Sequence, residues 1–181
     1  MSTFRLPLLQ SRVRAAMRLA FKAHVGPPLS DLAMAASRVA LAWIFIFYGA
    51  GKLFGGFNGP GIHRTALYFD NVAHLHPGGL FAVLGGVIEF GGGIAIALGL
   101  GTRIAGLALF GDMVLAMITV TWSTGIDSVK IPPGYQLNLA LAVLALVVSL
   151  LGAGRLSVDA LIARRLQLDT RSRGASAPGR E

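Results

Sequence analysis

Four long apolar stretches, separated by polar connections, dominate the pattern of residues along this chain. A helix rises about 1.5 Å per residue, so about 20 apolar residues cross the ~30 Å hydrocarbon core of a membrane. Each stretch comes close to that length, and the fourth is the shortest. We therefore predict an all-α membrane protein in which four antiparallel transmembrane helices form one bundle over residues 32–154. The predicted spans are about 32–54, 79–100, 103–123 and 135–151.

The connections between these stretches differ in length. Gly99-Leu100-Gly101-Thr102 leaves almost no loop between the second and third spans, so these two spans must be antiparallel neighbours. The first connection, residues 55–78, is long, and its middle part from Ile62 to Asn71 predicts a short interfacial helix. The third connection contains a Pro-Pro-Gly turn at residues 132–134.

Both ends of the chain are basic. In residues 1–31, apolar residues recur near helical spacing between basic ones, which predicts an amphipathic helix on the membrane surface. The arginines interrupt the apolar core that a cleaved signal peptide needs. Gly26 and the two following prolines should end this helix, and Ser30 or Asp31 should cap the first span. Residues 155–181 predict a basic tail that is disordered from about residue 170.

Composition supports a membrane location. Hydrophobic residues make up 54% of the chain and charged residues only 13%, whereas soluble domains contain about 25% charged residues. The absence of cysteine excludes disulfides, thiol catalysis and cysteine-held iron–sulfur clusters. The net charge of +8 does not indicate nucleic-acid binding, because the basic residues flank apolar stretches, where they interact with anionic lipid.

The basic residues also predict the orientation in the membrane. Five lie in the N-terminal tail and six from Arg155 onward, and Arg103 lies in the tight second turn. The first loop carries only Arg64 and the third only Lys130. Because basic residues favour the cytoplasmic side, both termini and the second turn are predicted to be cytoplasmic.

Three ionisable residues, one in each of the first three spans, are predicted to form a buried polar cluster. At about 1.5 Å per residue, Arg38 lies ~9 Å, Asp112 ~14 Å and Glu89 ~20 Å above the predicted cytoplasmic ends of their spans. A charge at mid-membrane costs at least about 2.5 kcal/mol, so such groups should turn toward one another. Lys52, near the outer end of the first span, either extends to the membrane surface or reaches toward Glu89.

The cluster has two interpretations from residue type alone. It either fixes how the helices pack, or it binds the polar head of a molecule and exchanges a proton with it. Two carboxyl groups in one site should leave one of them protonated near neutral pH. On the second interpretation, Glu89 and Asp112 are the candidate catalytic residues, and the candidate ligand-binding residues are Arg38, Lys52, Gln136 and Asn138.

Other motifs leave alternatives open. The glycines around Glu89 either allow close helix packing or form a slot for a flat ligand. Gln136 and Asn138, at the start of the fourth span, either lie among lipid headgroups or hydrogen-bond a ligand. His63, His74 and His76 in the first loop have no strong metal-site spacing, so no metal is predicted.

Several short motifs follow one another along the chain: Gly49-Ala-Gly-Lys-Leu53, Glu89 followed by Gly92-Gly93, Leu98-Gly-Leu-Gly-Thr-Arg103 and Gly152-Ala-Gly-Arg-Leu-Ser-Val-Asp159. Their order and spacing resemble those of the DoxX family of small four-helix bacterial membrane proteins, and the resemblance covers about residues 35–160. By this resemblance, Lys52, Glu89 and Arg103 fall on recurrent polar positions of the family. Members often carry a glutamate at the start of the fourth span, where this chain has Gln136 nearby.

The resemblance implies a protein of the bacterial inner membrane. Relatives include the membrane subunit of a thiosulfate:quinone oxidoreductase, and some members are partners of superoxide dismutase and a sulfurtransferase in oxidative-stress defence. The leading hypothesis is therefore a redox-associated subunit that binds a quinone and works with a soluble oxidoreductase or superoxide-defence partner. In it, Glu89 exchanges the proton, Asp112 and Arg38 tune it, and Lys52 holds a polar head group.

Two further hypotheses remain open. The first is a non-enzymatic scaffold that anchors partner proteins through its basic tails. The second is a small transporter or channel, which would favour a homo-oligomer because four helices enclose only a narrow pore. The chain has no recognisable covalently bound electron carrier, so any redox chemistry must come from the ligand or the partner.

Overall fold

In a computed structural model, residues 27–127, 129, 131 and 133–175 are described, and they contain helices and turns but no strand. The predicted basic surface helix falls almost wholly on residues 1–26, outside the described part. The chain separates into two units, residues 1–30 and residues 31–181. The helices are α1 (Pro27–Phe54), α2 (Gly61–Asn71), α3 (Gly78–Leu98), α4 (Thr102–Ala116), α5 (Gln136–Leu151) and α6 (Val158–Ala175).

Three of these helices are long and apolar enough to cross a membrane. The apolar segments are Leu29–Phe54 in α1, Gly78–Leu98 in α3, and Thr102–Thr124, which is α4 with its irregular continuation. The fourth apolar helix, α5, has 16 residues and is shorter than these. The structure therefore confirms an all-helical chain with three candidate spans in its described part, and the fourth span stays a prediction.

The first helix begins earlier than predicted. Pro27 and Pro28 were expected to separate a surface helix from the first span, but both lie within the first turn of α1. Proline is tolerated there because the first residues of a helix have no intrahelical acceptor for an N–H group, and its fixed φ already suits the helix.

The turn between α3 and α4 is as short as predicted. Gly99 and Gly101 both have positive φ, +67° and +56°, which a residue without a Cβ adopts with little strain. The Gly99 N–H donates to Ile96 O and the Leu100 N–H to Ala95 O, and these bonds close the end of α3. This turn places α3 and α4 side by side and antiparallel.

The chain that continues from the end of α4 departs from regular α-helix. Residues Met117–Thr121 form a π-helical turn, and Trp122–Thr124 form a 3₁₀ turn. Single π turns inside α-helices frequently occur at functional sites. This one begins five residues after Asp112, on the part of the helix that lines the cavity described below.

The buried core and the outer surface are both apolar. Leu41, Phe45, Ile96, Leu109 and Val148 are almost fully buried. Many large apolar side chains also lie on the outside, and Ile104 and Trp43 are 79% and 69% exposed. A water-soluble protein rarely exposes so much contiguous apolar surface, so acyl chains of a lipid bilayer are the expected surroundings of these helices.

The C-terminal segment extends further as a helix than expected. Disorder was predicted from about residue 170, but α6 continues to Ala175. Residues 176–181 lie outside the described part. The short helix predicted at Ile62–Asn71 is present as α2.

Candidate functional site

An ion pair inside the helical core joins α1 to α3. Lys52 Nζ lies 2.8 Å from Glu89 Oε1. The Glu89 side chain is 3% exposed and that of Lys52 is 25% exposed. Of the two positions predicted for Lys52, the structure shows the one directed at Glu89, because the last turn of α1 lies against the middle of α3.

Asp112 of α4 adds a second carboxyl group to this pair. The side chains of Glu89 and Asp112 are within hydrogen-bonding reach of each other, and the Lys52 ammonium acts electrostatically on both. Two further oxygens, Glu89 Oε2 and Asp112 Oδ2, are buried and meet no hydrogen-bond donor. We call Lys52, Glu89 and Asp112 the acid–lysine cluster.

Arg38 does not belong to this cluster, so that part of the prediction is wrong. Its guanidinium donates to Leu156 O at 2.7 Å and also to Ala153 O. Arg38 and Lys52 are 14 residues apart on the same helix, which separates them by about 21 Å along its axis. The carbonyl groups after the end of α5 have no N–H donor within a helix, and the Arg38 guanidinium donates hydrogen bonds to two of them.

A cavity of about 970 Å³ lies beside the acid–lysine cluster, and α1 to α5 all contribute to its wall. Lys52 and Asp112 line it, and Glu89 lies behind them. The remaining wall is mainly apolar and aromatic, with Phe47, Tyr48, Phe69 and Phe81 among its residues. The arrangement suits a molecule with a large apolar body and one or two polar atoms.

Side chains from α2 line the cavity and were missed by the sequence analysis. Thr65, Tyr68 and Phe69 follow one another at helical spacing, so they lie on one face of α2, and all three reach the cavity. Burial raises the pKa of Tyr68, and the nearby Lys52 ammonium opposes that shift. The Tyr68 hydroxyl is therefore a neutral donor at physiological pH. The spacing of these residues was a usable signal, but nothing in the sequence showed which face of α2 turns inward.

The two residues predicted at the start of the fourth span are placed differently. Asn138 lines the cavity, as expected for a ligand-binding residue. Gln136, the first residue of α5, is not among the residues that line it.

The glycines around Glu89 have two kinds of surroundings, and the close helix packing predicted for them is seen at Gly93. A Cβ on Gly93 would lie 3.0 Å from Ile46 N, so this glycine allows α1 and α3 to pack closely. A Cβ on Gly85 would lie 3.5 Å from Asp112 Oδ1 and 3.9 Å from the Phe69 ring, so this glycine leaves room in the cavity.

The histidines of the first loop lie away from the acid–lysine cluster. His76 Nδ1 is 3.0 Å from Asp70 Oδ1, and the same oxygen accepts a hydrogen bond from Gly78 N at 2.7 Å. Asp70 therefore stabilises the N-terminus of α3, where an acidic group is favourable.

The chain was compared with models of protein families. The family model described as DoxX matches residues 33–122. The match includes all three residues of the acid–lysine cluster, whereas α5 and α6 lie beyond it. No curated protein and no solved structure matches the chain.

Proposed function

The chain belongs to the DoxX family and is a multi-pass membrane protein, and on that premise we propose that it binds a quinone-like, lipid-soluble molecule as a membrane subunit of an oxidoreductase system. The cavity beside the acid–lysine cluster is the single observation that supports this proposal most strongly. It combines a mainly apolar wall with charged groups at one place.

The residues of the cavity fit such a ligand. Phe47, Tyr48 and Phe81 offer aromatic surface for a flat ring. The Lys52 ammonium and the Tyr68 hydroxyl are donors that a ring carbonyl can accept from. Asp112 lines the cavity, so its carboxyl group can accept from a ligand hydroxyl, and Glu89 lies directly behind it.

The proposed chemistry divides between the ligand, the partner and this chain. A quinone that receives two electrons also takes up two protons, and the electrons would come from a soluble oxidoreductase. The acid–lysine cluster would hold and deliver one of the two protons at the carboxyl oxygens of Glu89 or Asp112, and the second would follow after the cluster has taken up a new proton from water. Lys52 and Tyr68 would orient the ligand oxygen, and the apolar wall would exclude water from it.

A pair of glycine variants on α3 tests ligand binding. Gly85→Leu places a side chain in the cavity beside Asp112, whereas Gly91→Leu places it where a Cβ meets nothing within 4 Å. We expect Gly85→Leu to weaken binding of decylubiquinone at least about tenfold, equivalent to about 1.4 kcal/mol. Gly91→Leu should bind as the unchanged protein does. Binding would be measured on purified protein in detergent, together with mass spectrometry of co-purified quinone.

Equal binding by both variants would contradict the proposal, provided both retain the thermal stability of the unchanged protein. Glu89→Gln supplies an independent variant, because it keeps the shape of the side chain and removes its charge. Quinone binding that Glu89→Gln leaves unchanged would show that the ligand does not use the acid–lysine cluster.

A further inference from the structure

The charges in the acid–lysine cluster do not balance. Lys52 supplies one positive charge, whereas Glu89 and Asp112 together supply two negative charges when both are ionised. Arg38, which was predicted to join Glu89 and Asp112, donates instead to carbonyl groups beyond α5. One positive charge is therefore missing from a site that lies within the apolar core.

No other element supplies that charge among the described residues. From α2, Tyr68 contributes a neutral hydroxyl, and Arg64 is an exposed residue of the cavity wall that forms no ion pair with either carboxylate. From α5, Asn138 contributes an amide, and the helix contains no titratable residue. The ion pairs of the described residues include a single one at this site, between Lys52 and Glu89.

The same two carboxyl groups hold the unpaired oxygens. Glu89 is 2% exposed, and its Oε2 has no donor, as is also true of Asp112 Oδ2. A buried acceptor without a donor is costly, and a buried charge without a partner is more so. The two side chains lie within hydrogen-bonding reach of each other. One proton held between them would form a hydrogen bond that joins the two carboxyl groups, and it would also remove the excess negative charge.

We propose that Glu89 and Asp112 share a single proton when no ligand is bound, so that the acid–lysine cluster stores one exchangeable proton within the membrane. The cluster is neutral with the proton and carries one negative charge without it. The proton would leave as the ligand or water accepts it on the cavity side, where Asp112 and Lys52 are exposed to the cavity. This inference deepens the proposed function by naming the proton donor, but it does not require that the ligand be a quinone.

Infrared difference spectroscopy on the full-length, ligand-free protein tests the proposal. We expect the carbonyl stretch of one protonated carboxylic acid at neutral pH, with the shift in D₂O that an exchangeable acid shows. Glu89→Gln and Asp112→Asn should each abolish this band, because the remaining carboxylate then has Lys52 and a neutral amide as donors. Asp127→Asn should leave the band unchanged, since Asp127 is an exposed residue of the third loop whose carboxylate accepts a local hydrogen bond from Val129 N.

Three results would contradict the proposal that Glu89 and Asp112 share one proton. The first is the absence of a protonated acid in the unchanged protein at neutral pH. The second is a band that survives in Asp112→Asn, which would place the proton on Glu89 alone. The third is a band that disappears when sodium replaces choline in the buffer, which would indicate a sodium site instead. A protein that shows the band but binds no decylubiquinone would refute the proposed ligand and leave the proton store intact.

Discussion

At the scale of single residues, Lys52 determines the net charge of the candidate site. It is the basic residue within ion-pairing distance of Glu89, and its ammonium also acts on Asp112. Without it, both carboxyl groups would have to be protonated for the site to be neutral, and that becomes harder as the pH rises. The effect of removing Lys52 should therefore depend on pH.

Lys52→Met is expected to destabilise the protein by about 3 kcal/mol at mildly alkaline pH, the effect of breaking a buried ion pair from one side. The loss should shrink at acidic pH, where the carboxyl groups take up protons. Unfolding in detergent as a function of pH would measure it. Arg64→Met is the control, because Arg64 lines the same cavity without an ion pair to either carboxylate.

The double variant Lys52→Met with Glu89→Gln separates the ion pair from simple loss of packing. Because the neutral amide no longer needs a counter-charge, the double variant should be more stable than Lys52→Met alone. If the stability losses of the two single variants simply add in the double variant, the Lys52–Glu89 ion pair makes no energetic contribution.

At the scale of helices, a close contact between α1 and α3 positions the acid–lysine cluster. Gly49 of α1 lies against the backbone of Phe90 in α3, so close that a Cβ would overlap the Phe90 N atom. Phe90 follows Glu89 directly, so any separation of the two helices here also changes the distance from Lys52 to Glu89.

Gly49→Ala is therefore expected to lower stability by about 1–3 kcal/mol, as overpacking does. Gly91→Ala should change stability little or raise it slightly, because a Cβ there meets open space and alanine favours helix. Thermal unfolding of both variants in detergent measures the difference. Similar stabilities would contradict a close contact between Gly49 and the Phe90 backbone.

A second contact between elements lies at the opposite end of the bundle. Asp159 accepts from Gly101 N at 2.9 Å and from Thr102 N at 3.2 Å, while its own N–H donates to Gly99 O at 3.0 Å. A carboxylate at the N-terminus of α4 is favourable for both its hydrogen bonds and its charge. Arg38 binds the carbonyls of the same C-terminal segment.

Asp159→Ala should lower stability by about 1–2 kcal/mol, because two N–H groups of the α4 terminus lose their acceptor. Asp159→Asn should lose less, since the amide oxygen keeps one of the bonds. Asp31→Asn is the control, because Asp31 Oδ2 is 3.9 Å from the exposed Arg155 Nε, and loose ion pairs near the surface contribute about 0–1 kcal/mol. Equal losses for Asp159→Ala and Asp31→Asn in thermal unfolding would contradict the capping role.

At the scale of the whole molecule, the number of spans and their direction determine which side of the membrane the cavity faces. With α5 as the fourth span, both termini lie on the same side. Its 16 residues extend about 24 Å, and local thinning of the bilayer can accommodate this short length. The distribution of Lys and Arg then predicts that this side is the cytoplasm.

Because the chain has no cysteine, single substitutions can report this orientation directly. His63→Cys in α2 and Arg165→Cys in α6 place thiols at exposed positions on the two sides of the predicted topology. In intact cells, a membrane-impermeant maleimide should label His63→Cys and should reach Arg165→Cys only after permeabilisation. Labelling of both thiols in intact cells would rule out α5 as a fourth span.

The helices themselves were largely predictable, whereas the contents of the site were not. The pattern of apolar residues located α1, α3, α4 and α5 to within a few residues, because the length of an apolar run is a local property. Long side chains are harder to place, and Arg38 was assigned to the wrong neighbours for this reason. Its depth was estimated from the predicted start of the span, but its direction depends on the segment after α5, which is more than 100 residues away.

The sequence by itself determined that this is a helical membrane protein of the DoxX family, since hydropathy and the order of motifs are local properties that depend only on consecutive residues. It also indicated that Glu89 and Asp112 could face each other, because the tight turn makes their helices antiparallel neighbours. Only the tertiary structure decided that Lys52 joins them, that Arg38 does not, and that Tyr68 completes the wall of the cavity. Those choices depend on which faces of separate helices turn toward one another, and no local pattern encodes that.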